Sequence, residues 1–252
     1  KAPVLRAVDG IDLDVYTGET VGLVGESGCG KSTFGKAIIN LTPPTEGSVA
    51  YQGTEIAHYN TRQMRPLRKE LQFIFQDPYA SLDPRRTIFD LVKAPLDAFR
   101  IGTEQEREEQ VETILGFVGM DQFQFRKFPH ELSGGQRQRV VIARTMVLKP
   151  KFIVCDEPVS ALDVSVRAQV LNLMKDAQSK LNVSYLFVSH DMSTVRYLCD
   201  KVAVMYLGRL VEFGSRHDIF EHPLHPYRKP LLSALPIPEV GVQRRRLLLE
   251  GD

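Results

Sequence analysis

Val21-Gly22-Leu23-Val24-Gly25-Glu26-Ser27-Gly28-Cys29-Gly30-Lys31-Ser32 is the stretch on which the fold turns. Residues 21–24 form a short apolar strand, and a helical stretch follows over 33–41. Between them lies G-x-x-x-x-G-K-[ST], in the strand–loop–helix setting that this spacing requires. Glycines let successive backbone N–H groups curl around a phosphate with no Cβ in the way. Lys31 then reaches the β- and γ-phosphates, and Ser32 offers its hydroxyl to Mg²⁺. Gly25, Glu26, Ser27, Gly28, Cys29, Gly30, Lys31, Ser32 and Thr33 are therefore the expected nucleotide cradle.

A second strand carries the chemistry that such a cradle needs. Lys151-Phe152-Ile153-Val154-Cys155 is compact and apolar, and it ends in Asp156-Glu157. The aspartate at such a strand end helps to hold Mg²⁺, and Glu157 is placed to polarise the attacking water as general base. Leu186-Phe187-Val188-Ser189-His190 is another apolar strand ending in polar residues, and His190 can hydrogen-bond a γ-phosphate. Gln76 ends the strand-like run Leu71-Gln72-Phe73-Ile74-Phe75 and opens a loop at Asp77-Pro78, within reach of Mg²⁺ or the water. In isolation Asp156-Glu157 reads better as a solvated strand end, Gln76 as a surface amide at a strand end and His190 as a plain loop histidine.

Leu132-Ser133-Gly134-Gly135-Gln136 precedes a helical run over 136–148, with Val140, Val141 and Ala143 apolar and Arg137, Arg139 and Arg144 interspersed. Ser133 suits the N-cap. Free N–H groups and a serine at a helix start attract an anion. Taken alone, the pentapeptide is also an ordinary turn before a helix.

Composition bounds the function. With 252 residues, 43% hydrophobic and 25% charged, the chain builds one large domain or a core with a subdomain. Thirty-two basic against 31 acidic residues leave a net charge of +1, which argues against a nucleic-acid footprint. Cys29, Cys155 and Cys199 are scattered and odd in number, fitting a reducing compartment rather than disulfides or zinc. No apolar run is long enough to span a bilayer and no signal peptide is visible, so a membrane role must pass through a partner. The start Lys1-Ala2-Pro3 points to a trimmed N-terminus.

Strand–helix alternation predicts an α/β core with a largely parallel sheet. Ile11-Asp12-Leu13-Asp14-Val15 alternates as a strand, and Thr42-Pro43-Pro44-Thr45-Glu46-Gly47 ends the first helix. Thr103-Glu104-Gln105-Glu106 is a capping box, followed by Val111, Ile114, Leu115 and Val118 at helical spacing. A helix over 166–181 faces the core with Val170, Met174, Ala177 and Leu181, and 202–206 with 210–213 forms a hairpin around Gly208-Arg209. The expected division is 1–76 with 151–220 as core, 77–150 as an inserted helical subdomain, and 221–252 as a proline-rich extension. In that extension His222 and His225 are three apart, but proline breaks any helix that would align them on a metal. Arg244-Arg245-Arg246 is a solvated basic run.

The P-loop, Gln76, Leu132 to Gln136, Phe152 to Glu157, Ser160-Ala161-Leu162-Asp163 and His190 occur in that order along nearly the whole chain. In this the sequence resembles the ATP-binding-cassette (ABC) transporter ATPases, more narrowly those of the oligopeptide/dipeptide importers. The finer likeness is carried by Phe75-Gln76-Asp77-Pro78-Tyr79-Ala80-Ser81-Leu82-Asp83-Pro84-Arg85, by Glu157-Pro158-Val159-Ser160-Ala161-Leu162-Asp163-Val164-Ser165-Val166-Arg167, and by His222-Pro223-Leu224-His225-Pro226-Tyr227.

The resemblance implies a P-loop NTPase of the ABC ATPase fold. This has a RecA-like core, an N-terminal antiparallel β subdomain and the inserted helical subdomain. It implies ATP and Mg²⁺, the latter at Ser32, Gln76 and Asp156, with Glu157, His190 and Gln76 catalytic. It further implies a head-to-tail pair of cassettes, homo- or heterodimeric. Ser133, Gly135 and Gln136 of one subunit would then face the nucleotide in the other's cradle, with Asp163 at the seam. The segment around Gln76–Arg86 and the helical region to Gln136 would dock on transmembrane permease subunits served by an extracytoplasmic peptide-binding protein. The cassette would sit peripherally on the cytoplasmic face of the inner membrane.

Two departures stand out. The family stacks adenine on an aromatic residue upstream of the P-loop, and the first aromatic here, Tyr16, comes too late. The iron–sulfur centre that some peptide-importer ATPases carry in the tail is excluded, because this tail has no cysteine. Rival classes are DNA-repair or chromosome ATPases, translation-associated cassettes, a regulatory nucleotide-binding module and other transporters. The first needs long coiled coils or zinc modules between Gln76 and Ser133, where neither heptads nor Cys pairs occur. The second normally has two cassettes per chain, and the third a damaged acid or signature. Exporters share the same hydrolytic residues.

Overall fold

In the computed structural model, residues 6–221 are described. β1 (Thr20–Val24) is buried along its whole length and runs through the glycine-rich loop into α1 (Lys31–Ile38). A small hairpin, β2 (Ala50–Tyr51) and β3 (Thr54–Glu55), turns through Gln52 and Gly53, both with positive φ. That is the turn geometry whose twist suits antiparallel strands. After the single turn α2 (Thr61–Met64), β4 (Leu71–Ile74) leads out to three helices. These are α3 (Ile88–Phe99), α4 (Glu104–Phe117) and α5 (Gly134–Met146). The chain returns in β5 (Phe152–Asp156), then runs through α6 (Val164–Leu181), β6 (Ser184–Ser189) and α7 (Met192–Leu198). The hairpin β7 (Lys201–Tyr206) and β8 (Arg209–Ser215) and the short α8 (Arg216–Glu221) complete the described residues.

Six strands form one sheet in the order β4-β5-β6-β1-β7-β8, with only β8 antiparallel to its neighbour. Both faces are covered, so central strands are buried on every residue, as doubly covered parallel sheets require. Alternate side chains divide between two cores. Val154, Leu186 and Val188 pack with Phe34 of α1. Ile153, Cys155, Tyr185 and Phe187 pack toward α6, α7 and the helices inserted after β4. Crossovers of this kind bring every β–α loop to the C-terminal edge of the sheet, where α/β folds bind ligands.

α1, α5 and α6 begin at Lys31, Gly134 and Val164, two residues before the expected 33, 136 and 166, whereas α4 starts directly after its expected cap. Thr103 accepts the Glu106 N–H while the Glu106 carboxylate reaches back to the Thr103 N–H, closing the capping box of α4. The 11–15 segment differs from expectation: it is not a strand. Ile11, Leu13 and Val15 pack against the α1-side core and Asp12 and Asp14 face solvent, so the alternation is real. It records which side meets the core, whereas a strand also needs a partner edge. Antiparallel pairing outside the main sheet is confined, among the described residues, to β2 and β3. Leu181 also departs, being 37% exposed as the last residue of α6 while Val170, Met174 and Ala177 are buried. The tail histidines and the arginine run lie outside the described residues.

Candidate active site

The cradle is walled by chain segments far from it in sequence. Gly30 caps α1 with φ 105°, and a Cβ there would lie 2.0 Å from the Ala7 carbonyl oxygen. Only glycine fits so close an approach. Behind it the Gly208 N–H donates to the Cys29 carbonyl at 3.0 Å, and the Asp9 N–H to the Gly208 carbonyl at 2.8 Å. The exposed arch Glu26, Ser27 and Gly28 faces outward, and Thr33 is exposed on α1. The Lys31 ammonium is buried, donating to the carbonyls of Gly25 at 2.8 Å and Glu26 at 2.7 Å. Those carbonyls hold its charge at the mouth of the loop.

Sheet order places the remaining groups. β5 and β6 are neighbours, and β4 lies beside β5, so their C-terminal ends converge on one side of the P-loop. The Ser32 hydroxyl donates to Asp156 at 2.9 Å. Burial pushes the Asp156 carboxyl above the usual carboxylate range against the Ser32 hydrogen bond, and the charge of Glu157 adds to the rise. A buried carboxylate next to a hydroxyl is the oxygen donor set of a hard divalent cation. The residues present fit Mg²⁺.

Glu157 has φ 48°, left-handed backbone that a long side chain rarely adopts. Its N–H is held by the Val188 carbonyl at 3.0 Å. The carboxylate accepts from the Gln76 amide at 3.1 Å on one oxygen and meets His190 Nδ1 at 2.9 Å on the other. Its side chain is 16% exposed against 59% for His190, so the acid lies in the cleft and the imidazole at its rim. Three loops thus bring Gln76, Glu157 and His190 together.

The Ser133 end of α5 is built differently. Ser133 Oγ accepts the Gln136 N–H at 3.3 Å, and the Gln136 side chain accepts the Ser133 N–H at 3.0 Å. Their hydrogen bonds serve only this cap, among the described residues. A Cβ on Gly135 would stand 2.2 Å from Val166 in the first turn of α6, so the two helix starts touch. Gly134 is under no such pressure, its nearest neighbour being Leu162 at 3.8 Å. Asp163 caps α6, accepting from the Val166 N–H at 3.0 Å and the Ser165 hydroxyl at 2.9 Å, and these bonds hold its carboxyl below the usual range.

Sequence reasoning gave no role to several residues that the structure ties to the site. Arg167 bridges Leu162 and Asp191. Arg144 donates to the Ser81 carbonyl, and Arg137 lies 5.3 Å over the Tyr79 ring, fastening the loop after Gln76 to α5. The only available signal was arginine at helical spacing, which a solvated face also shows.

A sheet of this order with a P-loop, an acid pair at the end of β5 and a capped glycine pair on an inserted helix defines a nucleotide-hydrolysing cassette. The sequence profile described as ABC transporter matches residues 8–160. The chain is 47% identical over 251 residues to the oligopeptide transport ATP-binding protein AppF of Bacillus subtilis, covering 98% of this chain and 76% of that protein. It is likewise 47% identical to the oligopeptide transport ATP-binding protein OppF of Escherichia coli, covering 98% of this chain and 75% of that one. Among solved structures, the dimeric post-hydrolysis state of the cassette MJ0796 bound to ADP and Pi superposes with a TM-score of 0.78 at 27% identity, over 86% of this chain and 93% of that one. The chain belongs to the ABC transporter family, and it is an ATPase of that family.

Proposed function

We propose that this chain is the ATP-hydrolysing subunit of an oligopeptide or dipeptide importer. In this proposal it works on the cytoplasmic face of the membrane as one of two cassettes beneath a permease served by an extracytoplasmic peptide-binding protein. Support comes from the 47% identity to proteins named for oligopeptide transport, which runs through nearly the whole chain. No helix among the described residues is long and apolar enough to cross a membrane, so force must pass through partners. The division follows the sequence: a core from 1–76 and 151–220, and a helical unit over 77–150.

The convergence of Gln76 and His190 on Glu157 carries the assignment of roles. The cradle N–H groups and Lys31 bind and orient the triphosphate. Ser32, Asp156 and Gln76 would hold Mg²⁺, which when bound neutralises charge on the β- and γ-phosphate oxygens. Glu157 takes a proton from the attacking water as its oxygen bonds to the γ-phosphorus and the bond to the ADP oxygen breaks. His190 and Gln76 orient that carboxylate and the γ-phosphate. Ser133, Gly135 and Gln136 complete the site of the neighbouring cassette, with Asp163 between the two.

Glu157→Gln tests both halves of this proposal. Hydrolysis should fall by about 100-fold or more, as loss of a general base does, while ATP binding persists. Light scattering with Mg-ATP should show the variant as a dimer. Wild-type turnover would remove the base assignment, and a persistent monomer would remove the shared site.

A further inference from the structure

Beyond the residues that face nucleotide, one side chain links three loops of the site. Arg167 lies on the first turn of α6, four residues after Asp163, and its N–H donates to the Asp163 carbonyl. Its guanidinium donates to the Leu162 carbonyl at 3.1 Å and to the Asp191 carboxylate at 2.7 Å. Both side chains of that ion pair are little exposed, 28% and 27%. Asp191 is the residue next to His190, and its own N–H is fixed on the Ser189 hydroxyl at 3.0 Å. Its carboxylate also takes the Ser193 N–H at 2.9 Å and the Thr194 hydroxyl at 2.9 Å, which anchors it as the cap of α7.

The contacts close into a ring. Glu157 is bonded to His190; His190 is joined by one peptide bond to Asp191; Asp191 is paired with Arg167; and Arg167 grips Leu162. The Ser160 hydroxyl returns to the Glu157 carbonyl at 3.1 Å. Capping α7 alone would not need an arginine from another helix, because Ser193 and Thr194 already bond the carboxylate. The arginine adds a fixed distance between the loop holding Asp163 and the loop holding His190. A planar guanidinium with two separate acceptors sets orientation as well as distance.

We propose that Arg167 is a positioning residue that holds His190 on Glu157 and ties its placement to the Leu162-Asp163 loop. This rests on the catalytic assignment of His190 above. A loosened imidazole misplaces the acid it touches, and small misplacements cost rate rather than binding.

The test uses the full chain with Mg-ATP. Arg167→Ala should lower kcat by about 10-fold or more, with KM within about twofold. The His190 ring resonances, identified by their loss in His190→Ala, should shift in Arg167→Ala while those of His58 and His130 stay put. Arg167→Lys should restore part of kcat. Asp191→Asn, which keeps a capping oxygen, should reproduce the loss and stands in if Arg167→Ala does not fold. Unmoved His190 resonances, or an equal fall in affinity and kcat, would overturn the proposal. If His190→Ala itself keeps wild-type kcat, the His190 assignment fails, and the role of Arg167 with it. If His190→Ala is impaired while Arg167→Ala is not, only the role of Arg167 fails.

Discussion

The cradle and the Ser133 end of α5 are both glycine-containing loops that start a helix, yet their polar groups are used in opposite ways. At the cradle, Lys31, Ser32, Asp156, Glu157, Gln76 and His190 all bond to one another or to the loop backbone. At the other end, the hydrogen bonds of the Ser133 and Gln136 side chains close the cap between these two residues, while Gly135 is pressed flush against Val166. One loop is bonded to distant parts of the chain; the other closes its side-chain cap within four residues. The difference fits the proposal above that this tip is presented to a separate subunit.

The largest test of the contrast is complementation. Lys31→Ala should abolish activity by emptying the cradle of its cation. Ser133→Asp should abolish it too, because aspartate still caps the helix but repels a γ-phosphate. Mixed, the two variants should recover about a quarter of wild-type turnover, since half of random dimers hold one intact composite site. No recovery in the mixture would mean that the tip serves its own chain.

A smaller effect separates the two glycines of the tip. Gly135→Ala should cost about 1–3 kcal/mol by forcing α5 off α6. Gly134→Ala, with room for the methyl group and better helix propensity, should be neutral or stabilising by up to about 1 kcal/mol. Urea denaturation of both variants checks this, and equal losses would contradict the packing described.

The smallest effect sharpens the cradle side. Asp156 has a folded-state carboxyl raised above its unfolded value by burial. Its favourable contribution is therefore present below the unfolded value and lost as pH rises through the folded one. In chelator at neutral pH, Asp156→Asn should raise Tm by about 2 °C, and the gain should vanish as pH falls through that range. A gain independent of pH would assign it to something other than the charge.

Much of this was legible because it is local. The P-loop spacing, the Thr103 and Ser133 caps and the apolar strands ending in acids are written within short windows. Hydrophobic alternation at 11–15 was legible too, but alternation reports a buried side and not a hydrogen-bonded neighbour. Arg167 and Asp191 are 24 positions apart, and nothing in either neighbourhood marks the other. The walls at Ala7 and Gly208 are invisible for the same reason, because their contact with Gly30 and Cys29 exists only once the sheet has closed.

That central place of β1 bears on how the chain is born. It is synthesised well before both its partners, β6 and β7, which begin at Ser184 or later. Closing so long a loop is entropically slow, and folds dominated by such contacts form late. The P-loop that β1 feeds therefore waits for β6 and β7 before its place in the sheet is fixed.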